Sequence, residues 1–274
     1  MSIRVPLSRP VFARLLWGPA LAGPFVVALL VPGVVFAQGR GGGGAGQGGG
    51  APQQTGRAGA IHDLTGYWVS VVAEHWHLRM MVPPKGDFTL LPVNAEARRV
   101  ANTWDPAKDE SNGEACRAYG APTIMRVPGR LHITWVDDNT LKIDTDAGTQ
   151  TRLLHFGGAA PAGQASSWQG YSAAAWRRPA RMGVEKNAGD LRVVTNRLRA
   201  GYLRKNGVPY SENATMEEYF DAFTEPNGDS WLVIDTIVTD PTYLTQPYVN
   251  SVAFKKLRDA SGWDPTPCRV DQPR

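Results

Sequence analysis

Arg130-Leu131-His132-Ile133-Thr134-Trp135-Val136, Asp137-Asp138-Asn139, Thr140-Leu141-Lys142-Ile143-Asp144-Thr145 and Asp146-Ala147-Gly148 follow one another without a break, and this stretch decides the fold. In the first run Leu131, Ile133 and Trp135 alternate with Arg130, His132 and Thr134. Strand side chains repeat every two residues, so the pattern predicts a strand with one apolar and one polar face. Asp137-Asp138-Asn139 reads as a turn. The next run resumes the alternation, with Leu141 and Ile143 apolar and Lys142 and Asp144 polar. A second turn, Asp146-Ala147-Gly148, leads to a third strand over 149–156. The three form an antiparallel meander.

Working outward, residues 64–73 are β-branched and aromatic and predict a strand before the meander. Five more are expected over 167–176, 191–198, 215–223, 231–239 and 248–257, with Pro226-Asn227-Gly228-Asp229 as a hairpin turn. That makes nine strands. A single short helix is expected over 95–102, where Asn94 is a good N-cap and Glu96 suits the positive helix start. Nine strands with one apolar face each must bury those faces in two packed sheets or one closed barrel. The expectation is all-β: an antiparallel barrel of about eight or nine strands, with one short helix before the meander.

Gly66-Tyr67-Trp68 at the head of the first strand resembles the Gly-x-Trp opening of lipocalins. There Gly allows close entry to the barrel floor and Trp plugs one end. A longer pattern spans roughly 63–268. It comprises Trp168-Gln169-Gly170-Tyr171-Ser172 with Trp176, then Gly189-Asp190-Leu191-Arg192-Val193-Val194-Thr195. Gly207-Val208-Pro209-Tyr210-Ser211, Glu218-Tyr219-Phe220, Asp240-Pro241 and Leu244-Thr245-Gln246-Pro247 complete it. This order resembles a group of secreted bacterial proteins of unknown function. The resemblance implies export and a lipocalin-like barrel, and it carries no catalytic residue to transfer.

The start of the chain predicts the same compartment. Arg4, Arg9 and Arg14 precede an apolar stretch over 15–36, and Val35-Phe36-Ala37 suits signal peptidase. Residues 1–37 are therefore expected to be a signal peptide, cleaved before Gln38. The stretch is long enough for a retained anchor, but Pro19, Pro24 and Pro32 interrupt it. Nine of the twelve residues 39–50 are glycine, so 38–62 is expected to be a flexible linker and 63–274 a single barrel domain. The 274-residue chain carries 29 basic and 25 acidic residues, a net charge of +4. Without the three leader arginines it is nearly neutral, which argues against nucleic acid as a partner. No membrane insertion is expected after cleavage, and the protein is placed in the periplasm or outside the cell. The only two cysteines, Cys116 and Cys268, are then expected to form a disulfide.

Two constellations could carry chemistry. In Glu74-His75-Trp76-His77, His75 and His77 would share a face if the first strand continued through them. They could then hold a metal with His132 or His155, although strand-end histidines without a ligand are the blander reading. The second constellation is the polar face of the meander: His132, Asp144, Asp146 and Arg152, joined by Tyr202 from the loop 201–210. Arg152 would hold an anionic or carbonyl group, the carboxylates would accept donors, and Tyr202 and Trp135 would supply apolar walls. The alternative is that this face is simply the solvated exterior, and alternation puts Trp135 opposite His132. No cofactor is expected. Three function classes follow. The first is an exported barrel binding a small molecule in or at its mouth. The second is an exported hydrolase or isomerase using His and Asp, and the third is a structural or interaction protein with a filled barrel.

Overall fold

The computed structural model describes residues 56–179 and 188–274. The expected leader, its cleavage site after Ala37 and the Gly-rich stretch lie outside the described residues. Nine strands close into a barrel: β1 (Gly66–Val71), β2 (Arg130–Asp137), β3 (Thr140–Thr145), β4 (Thr151–Phe156), β5 (Tyr171–Arg177), β6 (Asp190–Asn196), β9 (Thr215–Thr224), β10 (Ser230–Thr239) and β11 (Tyr248–Lys256). A separate hairpin pairs β7 (Gly201–Arg204) with β8 (Val208–Tyr210). Around the barrel the order is β1-β11-β10-β9-β6-β5-β4-β3-β2.

The barrel is not wholly antiparallel, because β4 pairs with β5 in parallel. The count itself demands this: strand directions cannot alternate all the way round a closed ring of nine. The parallel pair falls where no tight turn is available. Residues 157–170 carry the chain back to the opposite end before β5 begins, as a parallel pair requires.

Each wall strand buries alternate residues, so Leu131, Ile133, Leu141, Ile143, Leu154, Leu191, Val193, Phe220, Leu232 and Ile234 fill the lumen. Trp68 is buried, and its indole N–H donates to the Leu64 carbonyl at 2.9 Å. Gly66 at φ 109° adopts a backbone that other residues rarely do. The interior is therefore a packed core.

Both long insertions attach at one end. Before the start of β2 come α1 (Trp76–Arg79), α2 (Ala95–Asn102), α3 (Pro106–Ser111), a 3₁₀ turn (Ala115–Tyr119) and α4 (Ala121–Ile124). The β7–β8 hairpin lies between the end of β6 and the start of β9. Tyr119, Ile124, Met125 and Val127 join the barrel core as a cap. Above them Leu203, Val208, Tyr210, Leu244 and Tyr248 form a second core with Ala97 and Ala101 of α2. The α2 helix starts as expected, with the Asn94 side chain accepting from Ala97 N–H at 2.9 Å. The single expected helix is thus accompanied by three more short ones. Their signals were local: Asp105 caps α3, and Pro106 sits in its first turn. The Cys116–Cys268 disulfide, with its Cα atoms 5.1 Å apart, ties the cap to the C-terminal tail.

Candidate functional site

The barrel wall divides the residues singled out from the sequence. Arg152 faces inward with Leu154 and Phe156 and is almost fully buried. Its guanidinium makes a two-pronged pair with Glu218, at 2.7 and 3.1 Å, and donates to Ser172 and Thr195 at 3.3 and 3.4 Å. His132 and Asp144 are cross-strand partners on the opposite, outer face. There His132 stacks on Tyr67 at 4.0 Å, and Asp144 takes Lys142 and Thr151 at 2.8 and 2.6 Å. His155 is likewise stacked on Tyr171. Asp146 is fully buried where the tail crosses the barrel end. It accepts from Arg130 N–H at 2.7 Å and from Arg274 at 3.0 Å. Tyr202 is buried under Arg117, and its hydroxyl donates to Asp109 at 3.1 Å. Burial pushes the Tyr202 phenol well above its ordinary range. His132 and Asp144 stay together, while Arg152, Asp146 and Tyr202 each occupy a different environment.

The strand assumed to carry His75 and His77 ends at Val71. His75 takes a left-handed backbone, φ 46° and ψ 36°, and launches α1, so the two-residue repeat does not govern the pair. Among the described residues no group of three or more His, Cys, Asp or Glu side chains is placed to hold a metal.

A different constellation forms between the cap and the β7–β8 hairpin. Arg79, Arg126, Arg204 and Lys205 line one narrow, half-open cleft at the capped end, with a cavity volume of about 30 Å³. All four are buried, Arg126 at 9 % exposure and Lys205 at 6 %. The stretch 201–210, expected from sequence as a loop that supplies Tyr202, is a buried hairpin that presents two of these cations.

Their partners are unequal. Arg79 pairs with Glu74 and donates to the Arg126 carbonyl at 2.9 Å. Arg204 donates to the Thr89 carbonyl at 2.7 Å and lies 3.9 Å from the Asp87 carboxylate. Lys205 donates to the Tyr119 hydroxyl at 2.5 Å and to the Gln272 carbonyl at 2.8 Å. Arg126 has only the Tyr248 ring, 6.0 Å away, and no described carboxylate pairs with its guanidinium. Burial lowers the pKa of Arg79 and Arg204, and it brings Lys205 down to about 7. A desolvated ammonium is disfavoured unless a negative charge joins it.

The sequence reading missed this cleft and also missed Glu218. Glu218 was legible as a charge at the inward parity of an otherwise apolar series, Met216, Phe220 and Ala222. The cleft cations come from three separate segments, and no spacing within one strand connects them.

No protein-family model matches the chain, and no curated protein matches it by sequence. Among solved structures it is similar to the X-ray structure of a biotin binding protein from chicken, at 8 % identity and a TM-score of 0.26. The match covers 48 % of this chain and 89 % of that one. At that score the likeness bears on neither ligand nor mechanism. The disulfide is consistent with an extracellular or periplasmic setting, and among the described residues no helix is long and apolar enough to cross a membrane.

Proposed function

We propose that this protein is an exported barrel that binds a small anionic molecule at its capped mouth, in the cleft of Arg79, Arg126, Arg204 and Lys205. The observation that carries the reading is Arg126, a residue 9 % exposed that lines the cleft and whose guanidinium pairs with no acidic group among the described residues. An anion in the cleft would give that guanidinium the charge-assisted partner that the described residues do not supply. The packed lumen supports a site at the mouth rather than inside the barrel. Tyr202 contributes through its backbone, since its carbonyl accepts from Thr123, a cleft residue, at 2.7 Å. Arg152 serves the lumen, Asp146 clamps the tail, and His132 with Asp144 covers the outer wall. The disulfide, the expected leader and the resemblance to secreted bacterial barrels support export.

Calorimetric titration of the mature protein with inorganic phosphate, acetate and citrate tests the reading. Saturable binding of at least one of them, lost in Arg126→Gln, is the expected result. A flat titration with all three overturns it and leaves a filled, structural barrel.

A further inference from the structure

The segment that supplies Arg79 to the cleft carries a second feature. Trp76, Met80 and Met81 are 60, 50 and 60 % exposed and fall within six residues of one another. Met81 itself lines the cleft, and Trp76 and Met80 belong to the same short helical turn and its C-cap. Their neighbours Leu78 and Arg79 are buried and hold the turn against the protein, and Arg79 is fixed by Glu74, Ser70 and the Arg126 carbonyl. The exposed trio is thus displayed by an anchored turn and not by a loose loop. Soluble proteins seldom place large apolar side chains together in water without a contact for them.

Tryptophan and methionine beside buried cations match one environment, the boundary between lipid headgroups and acyl chains. We infer that the capped end is a docking face for an anionic phospholipid bilayer: Trp76, Met80 and Met81 enter the interface and one lipid headgroup reaches Arg126 and Lys205. The inference rests on the reading of the cleft as an anion site. It adds the source of the anion and the orientation of the barrel, with the capped end toward the membrane. Nothing spans the bilayer in this arrangement; the protein lies on it.

The test is co-sedimentation of the full mature chain with vesicles of phosphatidylcholine, with and without phosphatidylglycerol. Vesicles containing phosphatidylglycerol should bind on the order of tenfold more tightly, since each interfacial cation contributes a few-fold. The variant Trp76→Ser/Met80→Ser/Met81→Ser should lose vesicle binding while still titrating with inorganic phosphate, which also shows that its cleft is folded. Trp76→Phe should remove part of the fluorescence quenching by brominated lipid seen in the wild type. Phosphate binding without vesicle binding overturns the membrane inference and leaves the anion site standing. Vesicle binding that survives the triple substitution overturns it too. So does binding of monomeric short-chain phosphatidylglycerol without binding of vesicles, which assigns the site to free lipid. Loss of both phosphate and vesicle binding in the wild type removes the anion site and the docking face together.

Discussion

Arg152 in the lumen and Arg126 at the capped end are both more than nine-tenths buried, yet Arg152 meets a carboxylate at 2.7 Å and Arg126 meets none. Around Arg152 the wall strands supply Glu218, Ser172 and Thr195, so the charge is matched within the fold. Around Arg126 the cap and hairpin add three further cations, and the nearby carboxylates serve those: Glu74 lies on Arg79, Asp87 on Arg204, and Asp271 acts on Lys205. A closed pair of the first kind holds a structure in register. An excess of the second kind is tolerated when something outside the chain completes it. The same residue type, buried in both places, therefore has opposite meanings in the two.

Removing one partner of the lumen pair should have the largest effect. Arg152→Met should cost about 3–5 kcal/mol, because Glu218 is left buried without its cation. The double variant Arg152→Met/Glu218→Leu should recover most of that loss, since no isolated charge remains. Urea denaturation of the two variants side by side checks both statements. A double variant no more stable than the single one would mean that the pair is not a closed unit.

Opening the Cys116–Cys268 bridge should act on the other region. It closes a loop with a sequence separation of 152 and joins the 3₁₀ turn of the cap to the tail that places Gln272 against Lys205. Cys116→Ser/Cys268→Ser should lower stability by about 2–4 kcal/mol. It should also weaken phosphate binding, while an Arg152→Met change leaves the intrinsic affinity of the folded cleft intact. Denaturation and titration of the same preparations separate the two effects.

Lys205 gives the cationic end a pH signature. Its pKa falls from 10.5 to about 7 in the folded protein because burial disfavours the charged amine. Between those values the unfolded chain binds the proton and the folded one does not, so stability rises with pH across that window. Below about 7 both states are protonated and the burial penalty is present in full. The slope above neutrality should reach at most about 1.4 kcal/mol per pH unit, and Lys205→Met should flatten it. Anion affinity should run the other way and fall as pH rises through about 7, because the bound anion favours the ammonium. A stability profile identical in wild type and Lys205→Met would remove Lys205 from this account.

The barrel was legible because its evidence is local. The alternation in Arg130–Asp137 and Thr140–Thr145 specifies inward and outward faces, and residues 131, 133, 141 and 143 are buried as that alternation requires. A closed ring of nine needs at least one parallel pair, but its place at β4–β5 was not legible in the alternation. The sites were less legible because alternation was read on only one side. His132 and Asp144 follow the polar face outward, whereas Arg152 occupies the inward parity of its own strand beside Leu154 and Phe156. Grouping all three as one row ignored the change of face at β4. The cleft lay beyond such reasoning: Arg79 comes from a helical turn, Arg126 from the end of the cap and Arg204 from a hairpin, and only tertiary packing brings them together.

The smallest stability change is expected where the charge is unmatched. Arg126→Met removes a buried guanidinium whose described contact is the Tyr248 ring, so little favourable interaction is lost. Methionine keeps much of the apolar stem in the cleft. The net change should therefore be within about 1 kcal/mol of the wild type. This inverts Arg152→Met, the same substitution in the lumen. Saturating phosphate sharpens the contrast, since a ligand that binds only the folded state stabilises the wild type but not the Arg126→Met variant. Urea denaturation with and without phosphate reads both differences in one series. A loss comparable to that of Arg152→Met in the absence of phosphate would show that Arg126 is already paired within the fold, and the capped end would then be closed like the lumen.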